Sequence, residues 1–342
     1  MKMNMTKWMK DISLSGHRLC LPILTFPLVA QMDFDVRTAV SNGEKQYELM
    51  KAVADRYPDM IAAITNMDLS VEAEAFGSEI RYGDAEVPTV VGALIKDIED
   101  IPNLAIPEVG TGRTGEYLRA ARLAVENISD RPVLGGCIGP FSLAGRLIDM
   151  FHIMEHIVLE PEAIHDLLEK CVEFLMPYVK AFKDLGANGI IMAEPAAGLL
   201  SEAMCEEFSS QYVKRFVDEF QDDNFVIILH NCGNTKAQIS SLVGTGVKGI
   251  HFGNAVNMTD ILPQIPWGVL ALGNLDPSSC FTTSTPEEVA KKTRDLLTET
   301  AIYKNFVISS GCDIPPHTPL ANVDSFFDEA INFNSATFSE IA

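Results

Sequence analysis

Apolar and polar positions along the chain form blocks that predict strands alternating with helices. Short apolar runs rich in Val, Ile and Leu are separated by longer segments whose apolar residues recur at helical spacing. In residues 44–57, for example, Met50, Val53 and Tyr57 fall on one helical face. Repeated strand–helix units of this kind predict a parallel sheet with right-handed crossovers.

About eight apolar runs are predicted strands, and they cover residues 19–28, 60–67, 132–137, 189–192, 225–230, 249–252, 269–272 and 306–309. Predicted helices cover residues 44–57, 114–127, 141–150, 161–185, 201–220, 235–242, 258–262, 285–299 and 320–332. Eight parallel strands close a barrel, so the predicted fold class is α/β, a (β/α)8 TIM barrel. An open doubly wound sheet is the alternative, but no glycine-rich phosphate-binding motif follows the first strand.

The length of the chain suits a barrel with additional segments. With 342 residues it is long for one ordinary domain but typical of a barrel with an N-terminal extension. Residues 70–107 break the strand–helix rhythm with acidic residues, Gly and Pro, and we interpret them as an insertion with irregular or hairpin structure. Because no repeat or linker is visible, we expect a single domain over residues 1–342.

Composition and charge narrow the function classes. The net charge of −21, from 47 acidic and 26 basic residues, argues against nucleic acid or an anionic membrane as partner. No apolar run approaches the roughly 18 residues of a membrane span, and residues 1–12 are charged rather than signal-like. The seven cysteines have no regular spacing, so we expect reduced thiols and a cytoplasmic protein.

Two of the apolar runs lead into potential metal ligands. The predicted strand at residues 225–230 ends at His230, with Cys232 two residues later, and the strand at residues 306–309 leads to Cys312. His230 and Cys232 point to the same side of the chain, and all strands of a barrel open on one face. One imidazole and two thiolates with one open position are typical of catalytic zinc. These three residues are the predicted zinc ligands.

The other predicted strand ends also carry polar residues, which in a barrel line the same face. We predict catalytic roles for Glu194 and Asp276, and substrate-binding roles for Asn254, Asn274 and His317. Several have alternatives. Glu194 is either a fourth ligand or proton acceptor, or a cap for the next helix; Asp276 bonds either substrate or a loop amide. His251, like His317, either supports the ligands or only packs.

Several short motifs are found together in one known family. They are Gly139-Pro140-Phe141, Glu194-Pro195 with Ser201, His230-Asn231-Cys232-Gly233-Asn234, Gly273-Asn274-Leu275-Asp276-Pro277, and Gly311-Cys312 followed by residues 318–323. With these motifs the chain resembles the uroporphyrinogen decarboxylase superfamily. Within it, the chain resembles the zinc-dependent methyltransferases of the methylcobalamin:coenzyme M type. The His-x-Cys…Cys set is specific to that branch, whereas Gly-Asn-Leu-Asp-Pro is shared with the decarboxylases.

The resemblance implies a cofactor, a co-substrate and a partner. It places Zn²⁺ on His230, Cys232 and Cys312, and it implies a methylcorrinoid, held on a corrinoid carrier protein, as methyl donor. A substrate thiol bound at zinc would lose its proton and attack the methyl group. The acceptor is left open between coenzyme M, another thiol such as homocysteine, and a folate.

Two other functions are alternatives. The decarboxylases need no metal and hold the carboxylates of their substrate with an early Arg-Gln-Ala-Gly-Arg loop, but residues 24–31 contain no arginine, and the flanking Arg18 and Arg37 do not restore the pattern. An acidic protein without this cationic clamp is poorly suited to such a substrate. The second alternative is a non-catalytic corrinoid-handling accessory protein, which an intact open metal site disfavours.

Overall fold

Nine strands occur within residues 3–339, the part of the chain that the computed structural model describes. They are β1 (Ala63–Ile64), β2 (Ile80–Arg81), β3 (Thr89–Val90), β4 (Val133–Ile138), β5 (Gly189–Ala193), β6 (Val226–Asn231), β7 (Gly249–Phe252), β8 (Leu270–Leu275) and β9 (Phe306–Ser310). Strands β2 and β3 form a separate antiparallel pair. The other seven form one parallel sheet in the order β1-β4-β5-β6-β7-β8-β9.

The residues around Cys20 close this sheet into a barrel. Cys20 forms parallel bridges both with Met60, just before β1, and with Ile308 in β9. Leu21 N donates a hydrogen bond to Ile308 O at 3.0 Å, and Ile61 N donates one to Cys20 O at 3.1 Å. This segment occupies the eighth strand position of the barrel, and the predicted (β/α)8 barrel is therefore confirmed.

Helices surround the barrel strands. The α-helices of the described residues are α1 (Met5–Leu14), α2 (Val36–Ser41), α3 (Gly43–Arg56), α4 (Val71–Phe76), α5 (Thr114–Asn127), α6 (Pro140–Ile148), α7 (Met150–Leu159), α8 (Pro161–Asp184), α9 (Glu202–Cys205), α10 (Gln211–Phe220), α11 (Ile239–Gly244), α12 (Met258–Ile261), α13 (Pro286–Glu299) and α14 (Leu320–Ser339). Short 3-10 helices lie at Pro27–Gln31, Ile98–Asn103, Pro195–Leu199, Lys236–Gln238 and Leu262–Gln264, and π-helical turns at Glu206–Ser210 and Pro277–Thr282. Between residues 3 and 339, no helix is both long and apolar enough to cross a bilayer.

The central barrel strands are buried along their whole length. Every residue of β4, β5, β6 and β7 is buried, as expected for parallel strands with helices outside and packed side chains inside. Polar residues are therefore conspicuous where these strands end. His230 of β6 lies in register with His251 of β7, at the C-terminal mouth of the barrel, the end at which the strands finish.

Several segments differ from what the sequence predicts. The insertion at residues 70–107 contains the expected hairpin, β2–β3, but also helix α4. The helix predicted at residues 141–150 ends at Ile148, and α7 follows at once because Asp149, with a φ of 73°, turns the chain and caps the new helix. Within the first predicted strand, at residues 19–28, only the isolated bridges of Cys20 are formed. Pro22 has no amide hydrogen to donate, so the regular pairing does not continue past it.

Candidate metal centre

Three potential metal ligands converge at the mouth of the barrel. His230 lies at the end of β6, Cys232 follows that strand, and Cys312 follows β9. An imidazole nitrogen of His230 and the two Sγ atoms all lie within 4.8 Å of one another. His230 is 2% exposed, whereas both cysteines are partly exposed. A zinc ion at about 2.0–2.3 Å from each ligand atom fits atoms separated by such distances, and it would be open to a molecule entering the mouth.

The two thiols of this cluster lie close together. The neighbouring Cys312 thiol, together with His230, lowers the pKa of the Cys232 thiol well below that of a free cysteine, although burial opposes this. The same pairing raises the pKa of Cys312, because a second thiolate beside the first is unfavourable. Cys232 therefore favours the thiolate form that binds metals, and a divalent cation would replace the proton that the pair shares.

A chain of hydrogen bonds fixes the tautomer of His230. Ser309 in β9 donates its hydroxyl hydrogen to Leu21 O at 2.7 Å. His251 Nε2, at 2.7 Å from Ser309 Oγ, is therefore the donor in that contact. His251 Nδ1 then has no hydrogen and accepts one from His230 Nδ1 at 2.8 Å. His230 Nε2 is left with a lone pair, which is the form that binds a metal ion.

Burial keeps this chain of hydrogen bonds neutral. His251 is 1% exposed, and desolvation, together with the neighbouring His230, lowers its pKa well below that of a free imidazole. A neutral His251 can accept the hydrogen bond from His230, whereas a protonated one would set two donors against each other. Of the two alternatives that the sequence leaves for His251, these contacts favour support of a ligand.

Two glycines let the loops that carry the ligands approach closely. A side chain on Gly253 would place its Cβ 2.4 Å from the backbone of Cys232, and one on Gly311 would place its Cβ 2.6 Å from Asn254 N. Neither approach is possible with a larger residue unless the backbone moves. The loop after β7 is thereby held directly against both cysteine-bearing loops.

Glu194 uses both carboxylate oxygens to cap helix α6. Oε1 accepts a hydrogen bond from Phe141 N at 2.8 Å, and Oε2 accepts bonds from Ser142 N at 2.9 Å and Ser142 Oγ at 2.7 Å. Burial raises the pKa of Glu194 to about 7 in spite of these bonds. Its carboxylate does not belong to the cluster of ligand atoms found among the described residues. The capping alternative thus accounts for its contacts, and a catalytic role stays a prediction.

The predicted residues at the ends of β7 and β8 bond to each other or to the backbone of neighbouring loops. Asp276 Oδ1 accepts hydrogen bonds from Ser278 N and Ser279 N at 2.8 and 2.9 Å, and its Oδ2 accepts one from Asn254 Nδ2 at 3.0 Å. Burial acts to raise the pKa of Asp276, but the backbone hydrogen bonds lower it overall. Asn274 Nδ2 donates to two backbone carbonyls of the loop after β7. These bonds position the loops, and direct roles of the three residues toward substrate stay predictions.

The remaining predicted residue and the other thiols lie outside the cluster. His317 is exposed, and its role toward substrate stays a prediction. Burial raises the pKa of the other thiols, which keeps them protonated and unreactive. These buried free cysteines are Cys20, Cys137, Cys171, Cys205 and Cys280.

Another side of the mouth carries charged residues that the sequence analysis missed. Arg113 forms ion pairs with Asp68 and Glu74. Glu72 Oε1 accepts a hydrogen bond from Ile138 N at 3.0 Å, while Oε2 is buried and has no partner among the described residues. Burial raises the pKa of Glu72 to about 7. The position of the three acidic residues after the β1 run was the available signal, but the interpretation of residues 70–107 as an insertion obscured it for Glu72 and Glu74.

Comparisons with known proteins agree with the fold. The uroporphyrinogen decarboxylase (URO-D) family pattern matches residues 29–333. A methyltransferase structure from Methanosarcina mazei covers 96% of this chain and 98% of its own, with a TM-score of 0.85 at 22% identity, which shows the fold alone. Methylcobamide:CoM methyltransferase MtbA of Methanosarcina acetivorans is 31% identical over 270 residues, 78% of each chain. Uroporphyrinogen decarboxylase of Paraburkholderia phytofirmans is 24% identical over 289 residues, 80% of this chain and 78% of its own.

Proposed function

The chain belongs to the uroporphyrinogen decarboxylase family, and on that basis we propose that it is a zinc-dependent methyltransferase that moves a methyl group from a methylated corrinoid to a thiol. The observation that carries this proposal is the convergence of His230, Cys232 and Cys312 at the barrel mouth. The higher sequence identity to the methylcobamide:CoM methyltransferase than to the decarboxylase supports it. A metal-free decarboxylase has no use for three converging metal ligands.

The donor set suits zinc. Nitrogen and sulfur ligands from three residues leave a fourth position for a substrate, which is the pattern of catalytic zinc sites. The hydrogen bonds through His251 present the metal-binding form of His230, and Cys232 already favours the thiolate. Zinc bound here would supply a Lewis acid that favours the deprotonated form of an incoming thiol.

The two cysteines account for the nucleophilic character that the reaction requires. Methyl transfer forms a bond between the acceptor sulfur and the methyl carbon. The cobalt–carbon bond breaks, its electron pair stays on cobalt, and the thiol proton is released. Because Cys232 and Cys312 are both anionic when they bind a metal, they offset the charge of Zn²⁺, so an acceptor thiolate held there keeps its electron density.

The substrates approach the mouth from outside the barrel. The corrinoid is proposed to arrive on a carrier protein that covers the mouth, where the strand-end loops with Asn254, Asp276 and His317 lie. The acceptor is proposed to be a small thiol of the coenzyme M class, in line with the name of the similar methyltransferase.

Metal content and turnover together test this function. The native chain, purified without chelators, should hold about one zinc ion, and Cys312→Ser should lose it. With methylcobalamin and 2-mercaptoethanesulfonate as substrates, the variant should lose at least about a thousandfold in rate, equivalent to about 4 kcal/mol of activation free energy.

Cys205→Ser is the matched control. Cys205 is a buried free thiol outside the ligand cluster, and its Sγ lies 3.7 Å from Ser210 Oγ, so a hydroxyl finds a partner there. This variant should keep both zinc and rate. Full zinc occupancy in Cys312→Ser would contradict the ligand assignment, and a zinc-loaded native protein that methylates no thiol would contradict the function.

A further inference from the structure

One arginine near the mouth has no hydrogen-bond acceptor. Arg146 lies in α6 and is partly buried. It forms no hydrogen bond through its side chain and no ion pair with any residue that the structure describes. The other arginines between residues 3 and 339 that are not exposed all have acceptors, and they are Arg18, Arg113, Arg119 and Arg131. Arg146 is therefore a cation whose partner is missing from the chain itself.

The nearby carboxylate does not supply that partner. Burial lowers the pKa of Arg146, and the charge of Asp68 opposes this effect, but an arginine side chain stays protonated at neutral pH. Asp68 is already engaged, because its Oδ2 bonds Arg113 and its Oδ1 accepts hydrogen bonds from Ser70 N and Ser70 Oγ. A partly desolvated cation without an acceptor is unfavourable unless a ligand brings an anion to it.

Contacts connect Arg146 to the same mouth as the metal ligands. Asp313, which follows a predicted ligand, accepts hydrogen bonds from Thr25 Oγ1 at 2.9 and 3.0 Å. Met67 N donates to that same hydroxyl at 3.4 Å. The next residue, Asp68, is the carboxylate whose charge acts on Arg146. The loop that carries Cys312 is therefore connected through Thr25 to the segment that holds Asp68, whose charge acts on Arg146.

A second unpartnered donor lies on that loop. Asn66 is 1% exposed, and neither its amide nitrogen nor its amide oxygen has a hydrogen-bond partner within the described part of the chain. It lies two residues after β1 and two residues before Asp68. An amide N–H group and a guanidinium are both suited to bind the oxygens of one anionic group.

We propose that Arg146, assisted by Asn66, binds the acidic group of the acceptor thiol and thereby selects for an anionic acceptor. The thiol part of this statement rests on the proposed function, whereas the anion subsite does not. Contacts at both ends of a short thiol would fix the direction of its sulfur. The planar guanidinium offers parallel donors that match the oxygens of a sulfonate or carboxylate.

A comparison of two thiols of equal chain length measures the contribution of the acidic group separately from that of the sulfur. 2-Mercaptoethanesulfonate and 2-mercaptoethanol differ only in a sulfonate against a hydroxyl. In Arg146→Gln, the ratio of kcat/KM for the sulfonate thiol to that for the neutral thiol should fall about tenfold to a hundredfold, chiefly through KM. Arg146→Lys, which keeps the charge, should recover part of this ratio. Zinc content measured on both variants checks that the metal centre is intact.

Ethanesulfonate, which has no thiol, provides a readout without turnover. Calorimetry should detect its binding to the native protein and to Cys312→Ser, and a loss of binding in Arg146→Gln. Binding retained by Cys312→Ser would support the subsite even if no methyl transfer occurred, so the two proposals fail separately. An unchanged thiol ratio in Arg146→Gln would overturn the proposal. So would a rise in KM for methylcobalamin but not for methylcobinamide, which would assign Arg146 to the corrinoid phosphate.

Discussion

The polar residues on two sides of the barrel mouth are satisfied in different ways. On the side of β6, β7 and β9, His230, Cys232 and Cys312 bring three ligand atoms together. On the side of β1 and α4, Arg113 is paired with both Asp68 and Glu74. The first group needs a cation from outside the chain to balance its thiolates. The second pairs its carboxylates with an arginine of the chain itself and so contributes to holding the loops in place.

Polar atoms that lack a hydrogen-bond partner indicate the role of each side of the mouth. The series of hydrogen bonds from Ser309 through His251 to His230 ends at the lone pair of His230 Nε2, which is available to a metal ion. The network around Arg113 ends in matched donors and acceptors. Since buried polar groups are almost always paired, an unpaired one in a mouth points to a ligand. By that criterion Arg146 and Asn66 are exceptions on the second side.

Removing Arg113 should have the largest effect on stability. Arg113→Met leaves Asp68, whose side chain is fully buried, as an unpaired carboxylate, so the free energy of unfolding should fall by about 3–5 kcal/mol. Urea unfolding measures this loss. Arg119→Met is the control, because Arg119 pairs with an exposed Glu44, and that variant should lose less than about 1 kcal/mol.

Zinc content of the same variant tests the contrast itself. The folded fraction of Arg113→Met should still bind about one zinc ion per chain, since Arg113 contacts none of the ligands. If the variant lost zinc while it remained folded, the Arg113 side would also be needed for metal binding. If it lost no more stability than Arg119→Met, the ion pairs of Arg113 would not stabilise the fold.

The support of His230 by His251 should have an intermediate effect. His251→Phe keeps a ring in the pocket but removes the closer acceptor for His230 Nδ1 and leaves only the backbone carbonyl of residue 251 at 3.3 Å, so zinc affinity should fall about tenfold to a hundredfold. Competition with a coloured chelator measures the affinity. Ser309→Ala, which removes only the far end of the chain, should have a smaller effect in the same direction. Equal affinities in native and His251→Phe would show that the tautomer of His230 does not depend on this contact.

The sequence predicted the ligand side of the mouth better than the paired side, for physical reasons. Buried parallel strands have continuous apolar runs, so the ends of β6 and β9 were visible, and the His230, Cys232 and Cys312 side chains follow directly from strand geometry. Ion pairs such as Arg113 with Asp68 join residues far apart in the chain and depend on loop packing, which no local pattern encodes. The same holds for the cap that Glu194 provides to α6.

Two details were within reach of the sequence and were not used. Arg146 is the one charged residue in the otherwise apolar or small segment at residues 140–148, which is an unusual place for a cation. Asp149 lies between two apolar helical segments, and an Asp at that position is a common N-cap. Recognising it would have divided the helix predicted at residues 141–150 and revealed α7.

The smallest expected effect concerns Glu72, another incompletely bonded group on the paired side. Burial raises its pKa from 4.5 to about 7, so the folded protein binds this proton more tightly than the unfolded chain does. Stability therefore falls as the pH rises from about 4.5 to 7, and the full cost is present above pH 7. Glu72→Gln, which carries no charge, should be more stable than the native protein at pH 8 by about 1–2 kcal/mol, and this gain should vanish near pH 4.5.

Urea unfolding of both proteins at the two pH values measures this difference, and the exposed Glu299→Gln is the control for a simple change of net charge. Only Glu72→Gln should show a gain that depends on pH. A gain of equal size at pH 4.5 and pH 8 would mean that the pKa of Glu72 is the same in the folded protein and in the unfolded chain, because the charge of Arg113, which acts to lower this pKa, offsets burial. The paired side would then stabilise the Glu72 carboxylate as well, and among its described residues Arg146 and Asn66 would still lack a partner.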